Sequence, residues 1–257
     1  MKVLLIDNTR DPDSWGSEEL RHSLSHPDGK ASGIELLTVR APHQDLPTPE
    51  RLSRFDRIVL SGSATSVNED APWIENLLTL IRSALSQKIP LLGICYGHQS
   101  LARAIGGKGA VGRAPKPEIG WTSIQKEPHS SVSILSGLPQ SFYSFSMHYD
   151  EVRQIPRDAE LLARSELCGV QAFQLKDAPA FGVQFHPERT PAGAEITFAA
   201  KKKLKPKPPL LHPGRPELYD PSVIAQILKN FYSISSSRAH GRAHGRAQGR
   251  AQGRTQA

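Results

Sequence analysis

The sequence predicts an α/β fold: an open, doubly wound, mostly parallel sheet with added antiparallel strands. Three observations predict it. Apolar runs of strand length alternate with helix-period segments through the first hundred residues, the second half breaks into short strand-like pieces, and 257 residues with 38% hydrophobic content suffice for one large core.

Taken in order, Val3 to Ile6 is a compact apolar run fitting a buried first strand, and the stretch near Ser17 to Leu24 has helical spacing. Ile34 to Val39 and Ile58 to Leu60 are the next strands. A helix near Trp73 to Leu85 follows, and Leu91 to Ile94 is a short, wholly apolar strand. Beyond it, Trp121 to Gln125, Val132 to Leu135, Tyr143 to Met147, Glu160 to Arg164, Gly169 to Gln174 and Ala180 to Phe185 have strand character suited to a mixed sheet. Pro221 to Tyr232 is a terminal helix with proline at its start. Such sheets bind ligands at the carboxyl ends of their strands, and the polar loop Asp11 to Ser17 falls near that edge.

The most informative segment is Pro90 to Gly106, PLLGICYGHQSLARAIG, which sets one cysteine at the tip of a strand turning directly into a helix. Gly93 and Gly97 flank Cys95 two residues away on either side, as a nucleophile elbow requires, because its sharp turn lets backbones pass closely only where side chains are absent. Helix N-terminal amides then favour a thiolate. A lone cysteine more often fills space than reacts. A base changes that reading. In Phe181 to Glu188, FGVQFHPE, a second apolar strand ends in His186 with a carboxylate, Glu188, two residues on. Cys95, His186 and Glu188 supply nucleophile, proton carrier and orienter.

With these two blocks in order and at this spacing, the chain resembles a class I glutamine amidotransferase domain, a triad glutaminase with flavodoxin-like layering that releases ammonia for a synthetase partner. The resemblance covers residues 1 to 190 and the last helix. Phe145 to Val152, FSMHYDEV, followed by Ile155-Pro156, and Glu118-Ile-Gly-Trp121 are similar to the GMP-synthase branch of that family. The resemblance implies that Gln99 and the stretch Ser146, Met147 and His148 bind the amino acid part of glutamine. It also implies oxyanion donors at the amide of Tyr96 and at a turn after the third strand, where Ser61-Gly62-Ser63-Ala64 stands in place of the usual Ser-Gly-Gly-Pro. Should the second donor require a positive φ at Ser63, the residue adds about 1 kcal/mol. Glutamine is then the substrate, a separate synthetase subunit the partner, and no cofactor is called for. Two alternatives remain open: a stand-alone γ-glutamyl peptidase using the same thioester, and a catalytically silent regulatory module.

Composition bounds the setting. Two cysteines, Cys95 and Cys168, fit a reducing compartment; Met1 to Asp7 is a strand rather than a leader, and no run of about 18 apolar residues suggests a membrane span, so a cytoplasmic location is expected. The expected organisation is a catalytic domain over 1–232 and a disordered tail over 233–257. Within the domain, 192–216 is a Lys- and Pro-rich insert, read either as a solvated, stiffened loop or as a segment that docks an acidic partner or caps the site. From Arg238 the tail repeats every four residues without any large apolar side chain, so it cannot bury a core. Its five arginines account for most of the formal +7, leaving +2 for residues 1–237. With no aromatic for stacking, specific nucleic-acid binding is not expected, and glycine at every fourth place disfavours a helix that would let His240 and His244 share a metal.

Overall fold

The computed structural model describes residues 1–11, 17–27, 33–128 and 133–235. Among them, β1 (Lys2–Asp7), β2 (Glu35–Arg40), β3 (Arg57–Leu60), β4 (Leu91–Ile94), β5 (Val111–Lys126), β6 (Ser141–Val152), β7 (Ala159–Arg164), β8 (Ala172–Leu175) and β9 (Ala180–Val183) form one nine-stranded sheet. Its order is β2-β1-β3-β4-β9-β8-β7-β5-β6. Pairing is parallel from β2 across to β9, then antiparallel through β8, β7, β5 and β6. The helices are α1 (Glu18–Ser25), α2 (Pro49–Leu52), α3 (Pro72–Ser86), α4 (Tyr96–Gly106), α5 (Pro191–Lys202) and α6 (Pro221–Ser233). None of the described helices is long and apolar enough to cross a membrane.

The doubly wound arrangement follows from two-residue periodicity in strands buried on both sides. Leu4, Ile6, Ile58, Leu60 and Leu91 face one core, which is closed by Ile74, Leu77 and Ile81 of α3 and Leu101 of α4. Their neighbours Val3, Leu5, Val59, Leu92 and Ile94 face the other, closed by Leu20 and Leu24 of α1 and Val223, Ile227, Leu228 and Phe231 of α6. A helix layer on each face is the result. The far end of α6 is fastened to the start of β3, because the buried Arg57 donates to the carbonyls of Phe231 and Tyr232 in its last turn and of Ile234 just beyond it.

Two expectations are corrected. Val132 to Leu135 is not a strand in its described part: Ser133 to Ser136 forms a turn in which each serine hydroxyl accepts a nearby amide, Ser133 from Leu135 at 3.1 Å and Ser136 from Ser133 at 2.9 Å. Its apolar residues, Ile134 and Leu135, are buried beside α6, so burial rather than sheet pairing explains the pattern. The insert, in turn, is not a solvated loop throughout. It begins inside α5, where Thr190 caps the Gly193 amide at 3.2 Å, Pro191 takes the first turn, and Phe198 packs edge-on against Phe145 of β6. Further along, Leu211 forms backbone bonds of 2.8 and 3.1 Å with Ile119 and Trp121 of β5. Gly120 lies between them at φ +132°, where any Cβ would stand 2.0 Å from the Leu211 carbonyl oxygen. Residues 12–16 of the polar loop, Val132, and the tail from 236 onward lie outside the described residues.

The turn from β4 into α4 depends on contact between backbones. A Cβ on Gly93 would lie 2.4 Å from the carbonyl of Gly97, and one on Gly97 would lie 2.5 Å from the carbonyl of Leu60 in β3. Gly97→Ala therefore has to push α4 off the sheet. The expected cost is about 2–3 kcal/mol, read as a lower urea midpoint with an unchanged slope.

Candidate active site

Cys95 is the single residue between β4 and α4, and its backbone has φ 50° and ψ −101°, a region where L-residues with a Cβ are strained. Neighbouring bonds hold it there. Its amide donates to Val183 of β9 at 2.8 Å, while its carbonyl accepts the Gln99 amide at 3.0 Å and begins α4. The sulfur therefore lies at the carboxyl end of the parallel strands, beside the helix's first free amides, that of Tyr96 included.

Because β9 is the next strand over, the chain leaving it carries His186 to the same edge. The His186 amide donates to the Phe145 carbonyl at 2.7 Å, and the Arg189 amide returns to the His186 carbonyl at 3.2 Å. The imidazole Nδ1 and Glu188 Oε1 are 2.8 Å apart, and Cys95 is a hydrogen-bonding partner of the same ring. All three are at most 3% exposed. Burial pushes the imidazole toward neutrality, yet the charges of Cys95 and Glu188, with their hydrogen bonds, overcome this and raise its pKa to about 10. The other nearby imidazole behaves differently. Burial against Phe173 and Gly182 lowers His98 to about 3 and keeps it neutral, so His98 is a packing group of α4 rather than a base.

Gly62 shows why the third-strand turn needs a glycine. A Cβ there would stand 2.8 Å from Cε1 of His186 and 3.7 Å from Cβ of Cys95. The turn is held by Asn8, whose amide donates to Ser61 Oγ and whose side chain donates to the Ser61 carbonyl, each at 2.9 Å. Ser63 is not among the described residues of positive φ, so the strain anticipated for it does not arise; its hydroxyl accepts the Thr65 amide at 3.2 Å.

A cleft of about 230 Å³ opens at the sulfur, lined by Cys95, Gln99 and residues 63–66 on one side and by Met147 to Asp150 on the other. The Met147 carbonyl is 3.9 Å from the sulfur. Gln99 donates to the Asp150 carbonyl at 2.8 Å and to Gln184 Oε1 at 3.1 Å, tying the nucleophile's helix to β6. Ser146 is fully buried. The His148 side chain turns from the cleft into a buried network: its Nε2 is 2.9 Å from Glu118, whose carboxylate also accepts from Ser165 and Gln171, each at 2.5 Å. Cys168 Sγ lies within metal-ligand range of Glu118 and His148, but that carboxylate is already occupied by hydrogen bonds.

Two contributors escape sequence inspection. Gln184 donates to the sulfur at 3.5 Å, and the one signal for it is its place two residues before His186, on the same side of an extended segment. Arg189, 1% exposed, is paired at 2.6 Å with Glu19 of α1, which also accepts the Thr190 amide at 3.0 Å. This pair clamps the residue next to Glu188 onto a helix 170 residues away in sequence.

Comparisons with known proteins agree with this geometry. The family model for glutamine amidotransferase class-I matches residues 21–204. The glutamine-hydrolysing GMP synthase subunit of Methanocaldococcus jannaschii is 40% identical over 141 residues, 54% of this chain and 69% of that protein. The corresponding subunit of Methanococcus aeolicus is 35% identical over 169 residues, 63% of this chain and 84% of that one. Among solved structures, a putative GMP synthase subunit of Thermoplasma acidophilum superposes with a TM-score of 0.66 at 26% identity, covering 96% of this chain and 98% of that one.

The electrostatics of the buried ring have a checkable consequence. The His186 pKa lies above its ordinary value of about 6.5, so the stabilisation from its charged form is complete below pH 6.5 and is lost as pH rises through about 10. Glu188→Gln and Cys95→Ala each remove a charge that raises it. In both variants the imidazole titration followed by NMR is expected to move to lower pH.

Proposed function

The chain belongs to the class I glutamine amidotransferases, and from that premise we propose that it hydrolyses the side-chain amide of glutamine and delivers the ammonia to a separate synthetase subunit, in the manner of the glutamine-hydrolysing subunit of a GMP synthase. The observation that carries this reading is the buried line of contacts from the Cys95 sulfur through the His186 ring to the Glu188 carboxylate, opening on one cleft.

The residues have distinct tasks. Cys95, as thiolate, attacks the amide carbon, and the oxyanion that develops is met by the Tyr96 amide and by the Gly62–Ser63 turn, donors worth about 3 kcal/mol each in such sites. The His186 imidazolium, fixed by Glu188, gives its proton to the departing nitrogen; carbon–nitrogen cleavage leaves a γ-glutamyl thioester on Cys95 and free ammonia. Water then adds to the thioester as His186 removes its proton, and glutamate leaves with the thiolate restored. Gln99 and the backbone of Ser146, Met147 and His148 hold the amino acid end of the substrate. Glutamine and water are consumed, glutamate and ammonia formed.

The cleft opens at the carboxyl ends of the parallel strands, and that end is where the synthetase subunit would receive ammonia. The catalytic domain spans 1–232, with the insert folded against it, and the protein works in the cytoplasm. Relatives named as glutamine-hydrolysing subunits weigh against a stand-alone γ-glutamyl peptidase or a silent module.

Purified protein given glutamine is expected to form glutamate, and Cys95→Ala to lower that rate by about 10⁴-fold or more while its circular dichroism is unchanged. A Cys95→Ala variant that retains glutamine hydrolysis overturns the assignment.

A further inference from the structure

One side chain at the reacting sulfur has no task in the reaction set out above. Gln184 follows β9 directly, is fully buried, and places its Nε2 3.5 Å from the Cys95 sulfur. Its backbone is pinned as well: its amide donates to the Gln171 carbonyl at 2.8 Å, and the preceding Val183 carbonyl accepts the Cys95 amide at 2.8 Å. One short segment therefore holds both the amide and the sulfur of the nucleophile.

The hydrogen bonds decide which end of the Gln184 side chain meets the sulfur. The Asp150 carbonyl can only accept, so Gln99, 2.8 Å from it, must present its NH2 group there. The same nitrogen lies 3.1 Å from Gln184, which must turn its oxygen toward Gln99. That leaves the Gln184 NH2 group facing Cys95. Both hydrogens of the Gln99 amide are committed in this way, one to the cleft wall and one to Gln184, and its oxygen is what remains for substrate. A relay of two buried amides runs from the Asp150 carbonyl to the sulfur, and its last link is a donor.

A donor fixed on sulfur favours the states in which sulfur carries charge. One is the free thiolate, and the other forms as the thioester breaks down. In that step the water oxygen bonds to the carbonyl carbon, His186 takes the water's proton, and the carbon–sulfur bond breaks with its electron pair going to sulfur. The Gln184 N–H meets that pair without giving up its own proton. The intact thioester, uncharged at sulfur, gains little from the contact. We propose that Gln184 is a catalytic residue of the second half-reaction, stabilising the departing thiolate, and that Gln99 is a positioning residue that acts through it. The proposal rests on the glutaminase reading.

The two half-reactions separate this role from a general loss of fit. A defect confined to thioester breakdown lowers kcat and KM together, because kcat/KM reports only the steps through release of ammonia. In Gln184→Met, which keeps the length of the side chain and lacks the donor, kcat for glutamine is expected to fall about tenfold to a hundredfold with kcat/KM within about threefold. Enzyme quenched in acid during turnover and weighed by mass spectrometry is expected to carry more γ-glutamyl thioester on Cys95 than wild type. Gln184→Glu, of the same shape but with only oxygens to present when ionised, repeats the pattern. Gln99→Met shows a weaker form of it, and the double variant with Gln184→Met accumulates no more thioester than Gln184→Met alone. Gln184 variants that hold the wild-type level of thioester, or whose kcat/KM falls as far as kcat, overturn the proposal while leaving the glutaminase standing. A Gln99→Met effect that adds in full to that of Gln184→Met overturns the relay. Wild-type protein that forms neither thioester nor glutamate overturns the glutaminase reading and this role with it.

Discussion

A strained turn at one residue governs the rest of this structure. Cys95 leaves β4 with a positive φ and enters α4 immediately, and three backbones, those of Leu60, Gly93 and Gly97, converge beneath it at distances that no side chain permits. Strain of this kind persists only where the surroundings over-determine it. Here the surroundings are two fully buried parallel strands on either side of β4 and a helix whose first bonded amide reaches back to the strained residue. The sulfur is consequently fixed by the sheet, and every other group of the site is placed relative to it.

The groups that act with the sulfur come from elsewhere in the chain, and the sheet order brings them in. β9 pairs with β4, so the segment after β9 emerges next to the turn; β6 sits at the opposite edge yet bends back, and its Phe145 carbonyl receives the His186 amide. Charges are then layered. The thiol and Glu188 act on His186, while Glu19 and Glu188 offset part of the depression that burial imposes on the Arg189 pKa, held near 10. His186 and Arg189 thus each have a neighbour of opposite sign, which is a condition for keeping such groups out of water.

How much of this can be read from the sequence varies with distance along the chain. The elbow, the His186–Glu188 unit and the alternating half of the sheet are legible because each is coded within ten residues by period, glycine placement and residue chemistry. Gln184 is not, although its neighbours are, since a glutamine in a strand carries no signature until the strand's partner is known. The Arg189 to Glu19 pair is invisible because neither residue marks its distant mate. In the insert, the density of lysine and proline conceals Phe198, whose burial against Phe145 and Trp121 makes α5 an ordered part of the domain. The segment Ser133 to Leu135 misleads in the opposite sense, as two adjacent apolar residues serve a helix rather than a ladder.

The fastening of α6 by Arg57 gives the molecule a polarity. Arg57 begins β3, and parallel strands all point one way, so the end of the terminal helix is pinned at the base of the sheet, while the cysteine crowns its top. The last described residues of the domain therefore sit at the opposite end of the sheet from the sulfur, and the thiol's doorway is framed at the strand ends.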